Sequence, residues 1–224
     1  MGTLHALLVE GVPGIGKSTL IDALIRRHVS SSDARRIRSF LHLAQTHTYG
    51  PLAPAEDAGI LTADANLQLL DRIAGMLEWL HHDLRHSDKP CFVLIDSLHL
   101  THCLRPGVVT WNGVAPIDRR LAEVGCQLAL LTGGEETIRA RTIQGRADSQ
   151  FLTEYARKFG RTHDELHAHF VGEQEEFVRM FAQSKLQKRV FENDGGLDTI
   201  VADVFGFWQR GQDAPGTSFL TVNA

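Results

Sequence analysis

Leu4-His5-Ala6-Leu7-Leu8-Val9-Glu10-Gly11-Val12-Pro13-Gly14-Ile15-Gly16-Lys17-Ser18-Thr19-Leu20 is the stretch that decides the fold. Its first seven residues are a short, mostly apolar run closed by glycine, the pattern of a buried parallel strand. From Lys17 to His28, Leu20, Ile21, Leu24 and Ile25 recur at helical spacing. Between the two, Gly11 to Ser18 matches G-x-x-x-x-G-K-[ST] in full, in the strand–loop–helix context that pattern requires. The chemistry explains the residue types. Glycines let the backbone curl until successive N–H groups converge on phosphate oxygens, and the following helix N-terminus adds positive potential. Lys17 is expected to bridge the β- and γ-phosphates, and Ser18 Oγ to ligate Mg²⁺. The stretch predicts a nucleoside triphosphate site formed by Gly11, Pro13, Gly14, Ile15, Gly16, Lys17, Ser18 and Thr19.

Outward from the loop, strands and helices alternate. A second strand is expected around Ile37 to Ala44, then a Pro-, Gly- and Ala-rich loop over Gln45 to Leu61 and a long helix from Asp64 to His86. Cys91-Phe92-Val93-Leu94-Ile95-Asp96 reads as the clearest later strand, and Gln127 to Leu131 as another, followed by a helix over Glu135 to Thr142. A helical region over Ser149 to Lys185, a strand at Arg189 to Glu192 and a helix over Leu197 to Gln209 complete the pattern, with Gly211 to Ala224 as a loose tail. The expectation is an α/β domain over 1–210: a parallel sheet of these five strands with helices on both faces.

Composition sets the outer limits. The 224 residues suit one large domain, and 43% hydrophobic with 22% charged residues excludes wholesale disorder. A formal charge of −4 argues against general nucleic-acid binding. Three cysteines make no closed disulfide framework and lack metal-ligand spacing, no apolar run reaches the ~18 residues of a membrane span, and the N-terminus lacks signal-peptide character. A soluble cytoplasmic protein is expected, with no nucleic-acid or membrane partner and with room for a homodimer.

Three further sets of residues carry chemistry. Asp96, at the carboxyl end of an apolar strand, is placed to hold Mg²⁺ through water or to act as catalytic base. Glu10 could orient water or a substrate hydroxyl, or simply end its strand. Arg139, Arg141 and Arg146 follow the fourth strand, where cations closing over the phosphates would stabilise the transferring phosphoryl group; the alternative is a solvated helix face. The loops at 45–62 and 97–116 are expected to form the acceptor pocket, and His99 and His102 could line it or pack in their loop. His163 and His167 share a helical face, read as solvated rather than as a metal site, since the H-E-x-x-H order is absent. Trp111, in a Pro/Gly-flanked loop, is the stacking candidate, with Trp79 and Trp208 assigned to the core.

Taken together, Glu10 to Leu20, the strand ending at Asp96, the arginines at 139–146 and Phe191-Glu192-Asn193-Asp194-Gly195-Gly196 resemble the nucleoside and nucleotide kinase group of P-loop proteins, the thymidylate kinase-like branch especially. The resemblance implies the P-loop NTPase fold with a five-stranded parallel sheet, a small lid near 137–160 over the donor, Mg-ATP as phosphoryl donor, an adenine-packing loop at Asn193 and Asp194, and an acceptor clasped opposite the donor. Thymidylate kinases usually carry Asp-Arg after the third strand and deoxynucleoside kinases Glu-Arg-Ser, the arginine gripping the acceptor's phosphate in the former. This chain has Asp96-Ser97-Leu98-His99, and its second strand ends in Gln45-Thr46-His47-Thr48-Tyr49, also without arginine. Binding a monophosphate of about two negative charges without a cation is costly. A neutral hydroxyl acceptor is therefore expected: a nucleoside, a sugar or a natural-product antibiotic, the last an acceptor that the more loosely similar chloramphenicol phosphotransferase takes on this scaffold. Two rivals remain: a nucleoside monophosphate kinase drawing on Arg72 or Arg105, and an NTPase switch without an acceptor, for which no Asn-Lys-x-Asp guanine-reading motif is present.

Overall fold

Five apolar segments pair side by side and in parallel: β1 (Leu4–Glu10), β2 (Ser39–Leu43), β3 (Cys91–Asp96), β4 (Gln127–Thr132) and β5 (Gln187–Glu192), in the order β2-β3-β1-β4-β5. The structure, a computed structural model, describes residues 2–30, 39–104, 108–146, 150–159 and 162–210. The tail at 211–224, Arg105 and the first two residues of the expected second strand lie outside them.

Burial explains which strand sits where. Every residue of β3 and β4 is buried, as are six of the seven in β1, whereas the edge strands β2 and β5 are largely half-buried or exposed. Strands covered on both faces read as continuous apolar runs, and β1, β3 and β4 do.

Parallel neighbours need crossovers, which are right-handed. The β1-to-β2 connection, through α1 (Lys17–Ser30), runs one way along the sheet, and every later connection runs the other. So α1 covers one face, packed with α10 (Leu197–Gln209), whose Trp208 Nε1 donates to the His5 carbonyl of β1 at 2.9 Å. The other face carries α4 (Ala63–Leu84), α6 (Trp111–Glu123) and α9 (His163–Gln183). Arg120 of α6 clasps Glu78 of α4 at 2.6 Å, and the guanidinium holds that carboxyl below its ordinary range.

Several expectations change here. The stretch read as a loop over Gln45 to Leu61 folds into α2 (Gln45–Thr48), a 3-10 turn and α3 (Ala53–Asp57), and the segment after Asp96 forms α5 (His99–Leu104). The helix after β4 stops early: α7 (Glu135–Ile138) gives way to a π-helical turn over Arg139–Ile143 and a 3-10 turn over Gln144–Arg146. The single helical region expected over Ser149 to Lys185 divides into α8 (Gln150–Phe159) and α9, which restarts at a capping box: Thr162 Oγ1 accepts from the Glu165 amide, and Glu165 accepts from the Thr162 amide. Trp208 is fully buried, but Trp79 is 63% exposed. Asn66, Leu70, Ile73, Ala74 and Leu77 form the buried stripe of α4, and Trp79, two residues on, faces away from it.

Candidate active site

Strand β1 ends at the sheet's topological switch point, flanked by β3 and β4, which is where open parallel sheets bind ligands. The loop after it turns through positive φ at Gly14 (82°) and Gly16 (106°). A side chain would also collide there: a Cβ on Gly14 would stand 2.9 Å from Thr142 Cγ2, and one on Gly16 2.7 Å from Asn193 Nδ2. The cradle is glycine-made because neighbours press on it from outside.

Those neighbours hold the loop's shape. The Ile15 carbonyl accepts from Asn193 Nδ2 at 2.7 Å and from Arg141 Nη1 at 3.1 Å. A trans peptide sets C=O and N–H on opposite sides, so pinning this carbonyl outward turns the Gly16 N–H the other way. Lys17 Nζ folds back over the loop, donating to the carbonyls of Gly11 (2.6 Å) and Val12 (3.1 Å). Asp194 accepts from the Gly134 amide at 3.0 Å, tying the turn after β5 to the turn after β4.

A cavity of about 390 Å³ opens on this loop. Gly11, Pro13, Gly14, Gly16, Lys17, Ser18 and Thr19 line one side. The opposite side comes from Gln45 at the start of α2, Asp96 and Ser97 at the end of β3, Thr101 of α5, Tyr155 of α8, and Glu173 and Phe177 of α9. The sequence reading singled out Asp96 among these and expected the segments 45–62 and 97–116, which supply Gln45, Ser97 and Thr101, to line an acceptor pocket. It missed the other three. Tyr155, Glu173 and Phe177 lie on helices whose packing no motif announces.

Asp96 is buried, and its Oδ1 accepts from Ser97 Oγ at 3.1 Å. Among the described residues no hydrogen bond reaches its other oxygen. Ser97 takes a left-handed φ of 60°, rare for a residue with a Cβ and of the kind that gathers at functional sites, with its amide held by the Val9 carbonyl.

Glu10 performs the structural half of its two readings. Wholly buried, it accepts at Oε1 from the Leu98 and Leu100 amides (2.8 and 3.1 Å) and at Oε2 from Thr101 Oγ1 (2.6 Å). One carboxylate thus staples the start of α5 to the strand that carries the phosphate loop. Burial, with the Glu10 charge nearby, pushes the Cys103 thiol up to about 12.

His99 and His102 are packing residues, both fully buried. His99 Nε2 meets Asp118 Oδ1 at 3.0 Å, and Ser184 Oγ donates to the same oxygen. Burial disfavours the Asp118 anion, but these bonds and the Lys185 amide outweigh it and hold the carboxyl below its usual range. Burial lowers His102 to about 4, so the ring is neutral near pH 7. Its Nε2–H donates to the Thr48 carbonyl at 2.9 Å, leaving Nδ1 to accept at the 2.5 Å contact with the Asn66 carboxamide. Turning that carboxamide so that its NH₂ faces Nδ1 also satisfies the buried Asn66 Nδ2. Trp111 packs on His99, 6.2 Å between ring centroids, and against the core.

The arginines separate. Arg141 reaches the glycine loop at the Ile15 carbonyl, whereas Arg139 pairs with Asp164 of α9 at 2.8 Å and donates to His167 Nδ1. His167 is engaged twice, its Nε2 donating to the Glu135 carbonyl, and no group of metal-ligating side chains occurs among the described residues. The Arg146 side chain lies outside the described residues. Arg72, the cation considered for a monophosphate, is exposed on α4 and does not line the cavity.

The site fits Mg-ATP. Its glycine loop is braced from outside in the shape a phosphate would need, exposed Ser18 stands in the first turn of the helix that follows, and Asp96 lines the same cavity. Comparison with known proteins shows the fold. No protein-family model and no curated protein matches the chain. Among solved structures, it is similar to the YorR protein of Bacillus subtilis in complex with phosphorylated GDP, with a TM-score of 0.57 and 12% identity over 96% of this chain and 100% of that one. A gluconokinase from Sinorhizobium meliloti 1021 has a TM-score of 0.49 and 17% identity over 93% and 94% of the two chains. A sugar kinase from Janibacter sp. HTCC2649 has a TM-score of 0.47 and 15% identity over 97% and 100%. At such identities the likeness is one of fold. No helix among the described residues is long and apolar enough to cross a membrane.

Proposed function

We propose that this chain is an ATP-dependent phosphotransferase that moves the γ-phosphoryl group to a hydroxyl of a small molecule. The observation that carries this reading is the shared cavity: a braced phosphate loop on one side, and on the other a buried carboxylate among polar and aromatic side chains from five separate elements. An NTPase that only switches needs no such second wall. The nucleotide held by YorR, a protein of similar fold, agrees with a nucleotide on this loop.

Lys17, the loop amides and Arg141 would hold the triphosphate, with Asn193 and Asp194 beside the base, and Ser18 and Asp96 would hold Mg²⁺. The ion supplies charge neutralisation on the phosphoryl oxygens. In the transfer, the acceptor oxygen bonds to the γ-phosphorus as the bond from that phosphorus to the β–γ bridging oxygen breaks, and ADP departs. Asp96, at the oxygen not bonded by Ser97, would take the acceptor's proton. Kinship with the thymidylate kinase branch belongs to this proposal, but a monophosphate acceptor suits the cavity poorly. Among its described lining residues Lys17 is the single Lys or Arg, facing Asp96 and Glu173.

Acceptor-stimulated ADP release from Mg-ATP tests the reading, with nucleosides, sugars, hydroxylated antibiotics and nucleoside monophosphates as acceptors. Stimulation by a neutral hydroxyl compound, lowered about a hundredfold in Asp96→Asn, supports it. Stimulation by monophosphates alone would make the chain a nucleotide kinase, and no stimulation by any class would leave a hydrolase.

A further inference from the structure

The hydrogen-bond inventory of the cavity's far wall narrows the acceptor. A hydroxyl has one proton and two lone pairs. Ser97 gives its proton to Asp96 Oδ1, and Thr101 gives its own to Glu10 Oε2 at 2.6 Å. Both hydroxyls line the cavity with their protons committed inward, so lone pairs are what they can show a ligand. Asp96, when ionised, only accepts. Against these three accepting side chains, Ser97, Thr101 and Asp96, the Gln45 carboxamide brings donors to the wall. The acceptors outnumber it.

Such a wall asks its ligand to supply protons. A carboxylate or phosphate would bring more lone pairs and more negative charge, leaving buried acceptors unpaired on both sides. A nucleobase edge would satisfy a few positions and leave the rest. Phe177, one helical turn beyond Glu173 on α9, adds an apolar face suited to a row of C–H groups. A second cavity of about 330 Å³ shares Tyr155 and Glu173 with the first and extends the room available.

We infer, resting on the phosphotransferase reading, that the acceptor is a polyhydroxylated molecule, a sugar or polyol that donates several hydrogen bonds to this wall, and that acid- and phosphate-bearing analogues of the same size are refused. Selectivity comes from Ser97 and Thr101 through protons already spent on Asp96 and Glu10.

The test uses matched acceptors with the full chain and Mg-ATP: a hexitol, its hexonic acid and its monophosphate, and a hexopyranose with its uronic acid. The neutral member of a set is expected to exceed its acid or phosphate by at least about tenfold in kcat/KM. Equal or better turnover of the charged members overturns the inference while leaving the phosphotransferase reading intact. So does stimulation confined to nucleosides or aromatic alcohols. A failure of every class of hydroxyl compound removes both. Gln45→Arg supplies a charged donor, and is expected to shift the preference toward the hexonic acid by about tenfold, through KM rather than kcat. An unchanged preference in the folded variant overturns the assignment.

Discussion

The two walls of the cavity are built on opposite principles. The wall where we propose that phosphates bind comes from one short run, Gly11 to Thr19, whose working groups would be backbone amides and one lysine. Its shape is fixed by φ angles that glycine adopts freely and by two side chains fastened to one carbonyl, that of Ile15. The opposite wall, the proposed acceptor side, is made of side chains drawn from positions 45 to 177, and those of β3 and α5 depend on buried partners elsewhere. Glu10 holds the start of α5, Thr48 Oγ1 donates to the Asp96 carbonyl, and His102 joins Thr48 to Asn66 of α4. A site made of backbone can be written in one stretch of sequence; one made of side chains exists only when distant segments meet.

The largest effect should break the phosphate wall alone. Lys17→Ala is expected to lower acceptor-dependent ADP release about 10³-fold, the scale for removing a charged group from a transferring phosphoryl site. The thermal midpoint should hold, because the bonds from Lys17 to the Gly11 and Val12 carbonyls stay within its own loop. Activity near the wild-type level in steady-state kinetics would dismantle the phosphate-site assignment.

Acid should break the other wall first. His102 has its native pKa near 4 against about 6.5 unfolded, so between those values the unfolded chain binds the proton and the native one does not. Stability therefore falls as pH drops from 6.5 towards 4, by about 3 kcal/mol at the lower end, and is unaffected by this group above 7. Denaturant midpoints from pH 7.5 to 4.5 measure the slope, and His102→Gln should flatten it. An equal slope in the variant would place the acid sensitivity elsewhere.

Glu10→Gln sharpens the contrast. The carboxamide oxygen can keep the Leu98 and Leu100 amides, but its NH₂ now confronts Thr101 Oγ1 as a donor. The threonine proton must turn away, toward the cavity. Losing the charge-assisted bond should cost about 2 kcal/mol of stability. Acceptor KM should rise several-fold while the KM for ATP stays near its own value. A parallel rise in both would show that Glu10 serves the phosphate loop instead.

The same contrast explains what the sequence could disclose. The loop, the apolar strands β1, β3 and β4 and the carboxylate at Asp96 depend on short-range patterns, and each was legible. The boundaries around the acceptor wall were not. Gln45 to Leu61 is rich in Pro, Gly and Ala, yet tertiary contacts fold most of it into short helices. His99 and His102 sit two and five residues beyond Ser97 and seemed poised for chemistry, but buried partners claim both rings. Nothing local distinguishes a histidine that faces a ligand from one that faces Asp118. Trp79 erred the other way: its size suggested the core, and its phase on α4 decided otherwise.

The arginines after β4 give the finest cut between the walls, since three cations within eight residues look equivalent in sequence and the structure separates two of them. Arg141 shares the Ile15 carbonyl with Asn193, so Arg141→Ala leaves one of two braces in place. A loss of about tenfold in kcat/KM is expected, close to 1.4 kcal/mol, with the larger part in KM for ATP. Arg139 spends its guanidinium on Asp164, itself 83% exposed, and on His167. Solvent screens such a pair, so Arg139→Ala should change kcat/KM by less than about threefold. The reverse order, with Arg139 the costlier loss, would mean that the segment swings on nucleotide binding, exchanging Asp164 for the phosphates, and that the brace at Ile15 is incidental to catalysis.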